Sequence, residues 1–194
     1  MNTERIKEVI EQSISVKEQL LNDTEIINEV SKIASVIVDA YKAGRKVLFC
    51  GNGGSAADAQ HLAAEFSGRF YYDRPPLAAE ALHVNTSYMT AVANDYSYDA
   101  VYSRIVEGMG REGDILIGIS TSGNSKNIIA ALETAKRKGM ITISFTGRGG
   151  GKMASLSDYL LAVPSNDTPR VQESHIMLGH IVCELVESTL FPRQ

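Results

Sequence analysis

Apolar residues recur every three or four positions through residues 1–43, as on the buried face of a helix. The pattern predicts two helices, with N-cap candidates at 22–24 between them and Gly44 as a stop. Each helix has a wide apolar face. That face packs either on the body of the domain or against another subunit, and the pattern leaves both possibilities open.

From Lys46 onward, short apolar runs alternate with helical stretches. The runs Val47–Cys50 and Asp114–Ile119 each lead through a loop into a helix, and a final helix is predicted over 172–190. Further strands are predicted at 78–82, 141–145 and 159–163, and the two helices after the loops at about 55–70 and up to about 138. Buried strands alternating with helices indicate a parallel sheet covered on both faces. The predicted fold class is α/β, a three-layer sandwich with a central parallel sheet of about five strands, preceded by N-terminal helices.

Length and composition narrow the class of protein. The 194 residues suggest a single domain, with a helical segment over 1–44 and an α/β body over 45–194. A content of 44% hydrophobic and 22% charged residues is typical of a globular protein, and no apolar run approaches the ~20 residues of a membrane span. Two distant cysteines outside any CxxC pattern predict a reducing, cytoplasmic setting. The net charge of -4, with no basic block, predicts no direct nucleic-acid partner.

The first candidate loop, Gly51–Ser55, follows the first apolar run. Its glycines let backbone N–H groups approach an anion at a helix N-terminus, although a bare turn would need glycine as well. The segment also matches the dinucleotide pattern G-x-G-x-x-A. The acidic residue which that pattern requires at the end of a strand, about 20 positions later, would fall near Pro75 and Pro76, where no acid ends a predicted strand. A phosphate, and not a dinucleotide, is therefore the predicted ligand.

The second candidate loop carries four hydroxyl groups around Gly123 at the end of an apolar strand. Hydroxyls and N–H groups together form a neutral cradle for a phosphate monoester, and a serine-rich capping turn is the alternative. Asn124 stands where a nucleotide-binding P-loop has its lysine, so this loop is predicted to hold phosphate as a handle and not to transfer it. The four hydroxyls belong to Ser120, Thr121, Ser122 and Ser125.

Ionisable residues cluster after the first loop and in the last helix. His61 and Glu65 are four positions apart and share one helix face. Imidazole and carboxylate groups suit zinc and other divalent ions, and they suit general acid–base catalysis equally well. A solvated surface pair is the alternative. The last helix adds Gln172, Glu173, His175 and His180.

The segments Leu48–His61 and Gly118–Ser125 resemble the signature loops of the sugar isomerase (SIS) family, and most closely those of its phosphoheptose isomerases. The resemblance extends over nearly the whole chain, to Arg170–Glu173 and His180. It implies a cytoplasmic homotetramer with no membrane partner. The implied reaction converts sedoheptulose 7-phosphate to D-glycero-D-manno-heptose 7-phosphate, for bacterial lipopolysaccharide or another surface glycan.

The resemblance also implies roles for individual residues. Glu65 would be the base and His180 the acid of an aldose–ketose isomerisation through an enediol, assisted by a divalent metal, usually zinc. The implied metal ligands are His61, Glu65, Gln172 and His180. The implied substrate contacts are Asn52, Gly53, Gly54, Ser55, Glu65, Asn94, Asp95, Ser120, Thr121, Ser122, Ser125 and Gln172.

A relative without catalytic activity offers a second interpretation. A protein that associates with the bacterial replication initiator shares the fold, and its C-terminal tail is similar to Glu187–Gln194. That protein resembles an isomerase that has lost its acid–base pair, whereas Glu65 and His180 are both present here. The isomerase is therefore the predicted function.

The spacing of Gln172 and His180 raises a geometric problem for a shared metal. Eight residues of continuous helix rise about 12 Å, whereas a zinc ion lies about 2 Å from each ligand atom. Either the last helix begins after Gln172, or the two side chains come from different copies of the chain. We predict that at least one of the four metal ligands reaches the site from a neighbouring copy.

Overall fold

The computed structural model describes residues 3–193 of the chain. Seven helices and five strands alternate along most of it, with short 3-10 turns at Tyr98–Ala100 and Gly151–Leu156. The helices are α1 Thr3–Asn22, α2 Thr24–Lys42, α3 Gly54–Ser67, α4 Thr86–Asp95, α5 Val101–Met109, α6 Lys126–Arg137 and α7 Thr168–Leu190. The strands are β1 Val47–Gly51, β2 Ala79–Ala81, β3 Ile115–Ser120, β4 Ile141–Thr146 and β5 Tyr159–Ala162.

The five strands form one parallel sheet in the order β2-β1-β3-β4-β5. All carboxyl ends therefore lie at one edge. The strand order changes direction at β1, so the crevice where such sheets bind ligands opens between the ends of β1 and β3. Gly51 pairs with Ile119 at this point, which places the two candidate loops side by side.

Side chains alternate between the two faces of the sheet and fill two apolar clusters. Val47 and Phe49 belong to the cluster that includes residues of α2, α3 and α7. Leu48 and Cys50 belong to the other, with residues of α5 and α6. Helices thus cover both faces, because every strand residue of β1 is buried. The predicted three-layer α/β sandwich is confirmed.

The two N-terminal helices use their apolar faces differently. Ile33 and Ile37 of α2 are fully buried and pack in the core, so this face covers the sheet. Ile6, Ile10 and Ile14 of α1 are each at least half exposed in the single chain. The α2 face therefore packs on the body of the domain, as does the end of α1 through Val16 and Leu20. A subunit contact for the exposed residues of α1 stays a prediction.

Two helix boundaries differ from the prediction for identifiable reasons. α3 ends at Ser67 and not near Phe70, because the N–H of Gly68 closes the last turn on Ala64 and Arg74 takes the carbonyl of Phe66. α7 begins at Thr168, four residues before Gln172, since a proline is tolerated in a first helical turn. The helices α4 and α5 were not predicted. α5 nevertheless has a regular apolar face, with Val101, Ile105 and Val106 at helical spacing.

Within residues 3–193, no helix combines the length and the apolar character needed to cross a bilayer. Both cysteines, Cys50 and Cys183, are buried free thiols.

His175 makes the stability of the fold sensitive to acid. The imidazole is fully buried, its Nε2 bonds the carbonyl of Thr146 at 2.9 Å, and its Nδ1 has no partner. Burial lowers the pKa of His175 from 6.5 to about 4, although the bond to Thr146 opposes the shift. The unfolded chain therefore binds one proton more than the folded chain between these two values. We expect the free energy of unfolding to be highest above pH 6.5 and to fall by about 3 kcal/mol toward pH 4.

Urea unfolding of the protein across this pH range measures the effect. A His175→Gln variant keeps an N–H donor but does not titrate. Its free energy of unfolding should therefore depend less steeply on pH, by up to about 1.4 kcal/mol per pH unit. An unchanged slope would show that other groups cause the acid sensitivity.

Candidate active site

The glycine loop, residues 51–55, turns β1 into α3 at the sheet crevice. Gly53 adopts φ +56°, a conformation that favours glycine, and it precedes the first helical residue. A Cβ on Gly51 would overlap the carbonyl of Ser55, so the turn closes tightly. The N-terminus of α3 carries no side-chain cap. The N–H groups of Ser55 and Ala56 donate to the carbonyls of Asn52 and Gly53, which leaves the N–H of Gly54 for an anion.

The serine loop, residues 120–125, performs the same turn between β3 and α6. Ser120 Oγ lies 2.9 Å from Ser125 Oγ and 3.5 Å from Ser122 Oγ. Three of the four predicted hydroxyls therefore converge. The backbone carbonyl of Thr121 accepts from Gly147, and that contact ties the loop to the end of β4. This arrangement can hold a phosphate group by hydrogen bonds alone, without a fixed positive charge.

Removing one cradle hydroxyl should weaken binding of the phosphorylated sugar more than turnover. The phosphate is the same in the ground state and in the transition state, so its contacts act as uniform binding. We expect Ser120→Ala or Ser125→Ala to raise KM about three- to tenfold, with kcat little changed. Steady-state kinetics on each variant provide the measurement. A fall in kcat at constant KM would assign the loop another role.

A second cluster joins α3 and α7 further along the two helices. His61 Nε2 lies 2.9 Å from His180 Nε2 and 3.1 Å from Glu65 Oε1. The ligand atoms of all three side chains lie within 4.8 Å of one another. The helices approach closely here because Gly179 has no side chain. A Cβ at that position would lie 2.6 Å from the Leu62 side chain.

The geometry of this cluster fits a divalent metal. Ligands of a tetrahedral zinc ion stand about 3.3 Å apart, so the observed nitrogen–nitrogen separation needs only a small expansion. Burial lowers the pKa of His180, and the nearby His61 lowers it further, although Glu65 opposes the shift. A neutral imidazole has a lone pair for a metal. Two histidines and one glutamate form a typical catalytic zinc set with an open fourth position.

Gln172 does not join this cluster in the single chain. It lies on the same continuous helix as His180, about 12 Å earlier along the axis. Its side chain packs against Gly54 at the start of α3, where a Cβ on the glycine would overlap Gln172 Nε2. The structure therefore brings three of the four predicted metal ligands together and places the fourth beside the glycine loop.

Two other ionisable residues of α7 have structural contacts. Glu173 accepts hydrogen bonds from Ser13 of α1 at 2.7 Å and from Arg170 at 2.6 Å. His175 bonds the end of β4, as described above. Neither belongs to the metal cluster.

Asn94 and Asp95 lie at the C-terminal end of α4, where Asn94 Nδ2 donates to Asp95 Oδ1 at 2.9 Å. The next turn reaches the glycine loop, because Tyr98 Oη donates to Asn52 Oδ1 at 3.1 Å. This brings the end of α4 toward the same crevice as the two loops.

Sequence reasoning missed three residues beside the glycine loop. Tyr98 and Asn127 bond the Asn52 side chain, and the buried Tyr102 donates to the carbonyl of Gly51. None of the three lies in a loop motif. Only the position of Asn127, two residues after Ser125, could have suggested it.

Comparisons with known proteins point to one family. The model of the SIS domain matches residues 10–147. The phosphoheptose isomerase of Aneurinibacillus thermoaerophilus is 54% identical over 186 residues, which cover 96% of this chain and 94% of that protein. That of Clostridium acetobutylicum is 55% identical, with 96% and 95% covered. The solved phosphoheptose isomerase of Neisseria gonorrhoeae superposes with a TM-score of 0.90 at 43% identity, covering 95% and 98%.

Proposed function

The chain belongs to the SIS domain family, and because its relatives at 50–55% identity are phosphoheptose isomerases, we propose that it interconverts sedoheptulose 7-phosphate and D-glycero-D-manno-heptose 7-phosphate. The observation that carries the proposal is the position of Glu65 and His180. They lie together on two helices, one of which starts at a phosphate-type loop.

The distances suit a seven-carbon substrate with a terminal phosphate. Gly54 and His61 are seven residues apart, which is about 10 Å of helix rise. An extended heptose phosphate spans about 8–9 Å from C2 to phosphorus, at about 1.2 Å for each bond. A phosphate held at the serine loop, beside the start of α3, would therefore leave C1 and C2 near His61, whose Nε2 lies 3.1 Å from Glu65 Oε1.

Glu65 is the proposed base that takes the proton from carbon. The proton then returns to the neighbouring carbon of the enediol, and the reverse reaction uses the same groups in the opposite order. His180 is the proposed acid for the carbonyl oxygen. Asp95 and Gln172 would orient hydroxyl groups, while Ser120, Ser122 and Ser125 hold the phosphate at a fixed distance.

The metal cluster of His61, Glu65 and His180 would hold zinc, which when bound polarises the substrate carbonyl as a Lewis acid. Nε2 of His180 cannot bind a metal and carry a proton at the same time. The metal content of a His180→Ala protein tests the ligand role, because loss of metal identifies a ligand, whereas full metal content leaves His180 free to act as the acid.

Direct turnover tests the proposed function. The protein is incubated with sedoheptulose 7-phosphate, and the aldose is followed by NMR. Appearance of the heptose aldose supports the isomerase, and its absence from a metal-loaded sample would overturn it. The alternative, a replication-initiator partner without activity, is not favoured, because the close relatives are isomerases by name.

We further propose that the whole chain is one SIS domain that works in the cytoplasm as a homotetramer, for lipopolysaccharide or another heptose-containing glycan. The two buried thiols suit a reducing compartment. An apolar groove between α1, α2 and α7 supports assembly, since Leu21 is 72% exposed and Ile27 is 48% exposed there. Analytical ultracentrifugation at micromolar concentration measures the state, and a monomer would contradict it.

Sharing of the active site can be tested by subunit exchange. If Gln172 completes the metal site of another copy, mixing inactive Glu65→Gln and Gln172→Ala proteins should create intact hybrid sites and restore activity. The control mixture combines Glu65→Gln with His180→Ala. Since Glu65 and His180 lie together in one chain, that mixture should remain inactive. Failure of the first mixture after proven exchange would place Gln172 in its own chain's site.

A further inference from the structure

We propose that Asn127 is a positioning residue that holds the glycine loop against the serine loop through the side chain of Asn52, with Tyr98 supporting Asn52 from the end of α4. The kinetic consequences rest on the proposed isomerase function. The structural claim does not.

The contact between Asn52 and Asn127 is a reciprocal pair of hydrogen bonds. Asn52 Nδ2 donates to Asn127 Oδ1 at 2.9 Å, and Asn127 Nδ2 donates to Asn52 Oδ1 at 2.8 Å. Turning one amide alone would set oxygen against oxygen and NH₂ against NH₂, so the pair accepts one relative orientation. Asn127 is 3% exposed, which protects both bonds from competition by water.

Each amide is anchored to its own element. Asn127 is the second residue of α6, and its Oδ1 also accepts from the N–H of Ile128 at 3.0 Å. Asn52 belongs to the glycine loop, and its carbonyl accepts from the N–H of Ser55 at 3.0 Å. The pair therefore connects the first turn of α6, which follows the serine loop, to the loop that starts α3.

Tyr98 adds a third element to this connection. Its hydroxyl donates to Asn52 Oδ1, so that oxygen accepts two hydrogen bonds. With Nδ2 also donating once, the Asn52 side chain keeps a single N–H for any other partner. Only that N–H and the backbone of Asn52 thus remain available for the predicted substrate contact. Its side chain acts mainly as a joint between three segments.

The joint matters for catalysis because the two loops have different tasks. The serine loop would hold the phosphate, while the glycine loop starts the helix that carries Glu65. A change in their relative position would move the base away from the reacting carbon, and a displacement of about 1 Å can cost about 10²-fold in rate. Phosphate binding at the serine loop alone would be affected much less.

The test compares Asn127→Ala with Thr134→Ala in the full chain. Thr134 is also buried on α6, where its hydroxyl bonds the carbonyl of Ala130 at 2.8 Å, two turns from the loops. We expect Asn127→Ala to lower kcat about 10- to 100-fold, with the inhibition constant of inorganic phosphate changed less than about threefold. Thr134→Ala should keep near-normal kcat. Normal kcat in Asn127→Ala, or an equal loss in both variants, would overturn the proposal.

Amide hydrogen exchange tests, without an activity assay, whether the Asn52–Asn127 contact stabilises the glycine loop. Exchange over residues 53–57 should be at least about fivefold faster in Asn127→Ala than in the unaltered protein and in Thr134→Ala. This result would stand even if the protein did not convert sedoheptulose 7-phosphate, so failure of the proposed function and failure of the joint are distinguishable. Unchanged exchange would overturn the proposal.

Tyr98→Phe keeps the proposal testable if Asn127→Ala does not fold. Tyr98 is 51% exposed, and the change removes the hydroxyl that bonds Asn52 and that also meets the hydroxyl of Tyr102. We expect a two- to fivefold fall in kcat and faster exchange over 53–57, as about one hydrogen bond is lost. A variant identical to the unaltered protein in both measurements would contradict a role for Asn52 as a joint.

Discussion

Replacing Glu65 with glutamine should lower kcat about 10²- to 10⁴-fold while the protein remains folded. Glutamine has nearly the same shape as glutamate, so packing on α3 should be retained. A neutral amide, however, cannot take a proton from carbon. It is also a poorer partner for a divalent metal beside His61, whose Nε2 lies 3.1 Å from Glu65 Oε1. NMR turnover of sedoheptulose 7-phosphate measures the loss, and thermal unfolding checks the fold.

Glu184→Gln is the matched control for this change. Glu184 is an exposed carboxylate on α7, one turn beyond His180, and the substitution removes the same charge. It should keep near-normal turnover, because its carboxylate is not one of the three ligand groups that lie together at His61, Glu65 and His180. If Glu65→Gln retained the activity of this control, Glu65 would not be the base.

Replacing Arg74 with alanine should destabilise the fold by about 3–5 kcal/mol. Arg74 and Glu187 form an ion pair at 3.0 Å with side chains 2% and 1% exposed, and removal of the arginine leaves the carboxylate buried without its charge partner. Arg74 also donates to the carbonyls of Glu65 and Phe66 at the end of α3. The loss should therefore include the C-terminal anchoring of the helix that carries Glu65.

Urea unfolding measures this effect, with Lys32→Ala as the control for an exposed ion pair. Lys32 meets Glu29 at 3.2 Å with its own side chain 63% exposed, so its loss should cost less than about 1 kcal/mol. A double change of Arg74→Met with Glu187→Leu should recover only part of the stability, because no buried charge remains but the N–H groups of Phe70 and Tyr71 lose their acceptor. A loss in Arg74→Ala no larger than in the control would contradict a structural role for the pair.

The elements that carry the site could be predicted because each depends on local pattern. The apolar runs ending in Gly51 and Ser120 predicted β1, β3 and both loops, and parallel pairing then required the loops to be neighbours. The helical spacing of His61 and Glu65 placed them on one face. The family resemblance is confirmed by the match of the SIS domain model and by the identity to phosphoheptose isomerases.

The remaining features depend on contacts between distant segments. Asn52 and Asn127 are 75 residues apart, and an asparagine pair leaves no periodic signal in either segment. The start of α7 was misplaced because Thr168 and Pro169 can end a loop or begin a helix equally well. With the helix continuous, one of the two explanations for the Gln172–His180 spacing is removed. The shared site stays a prediction for Gln172 alone.

Gly179 would couple the packing of α3 against α7 to the affinity of the proposed metal site. In the proposed metal site, His61 and His180 would be two of the ligands. Their separation depends on the distance between α3 and α7, which Gly179 keeps short by its contact with Leu62. A larger residue at position 179 would increase the separation of the two imidazoles without replacing either ligand. Substitutions at this interior contact would then change which metal ion the site prefers. Selection on catalysis would therefore also act on the packing of α3 against α7.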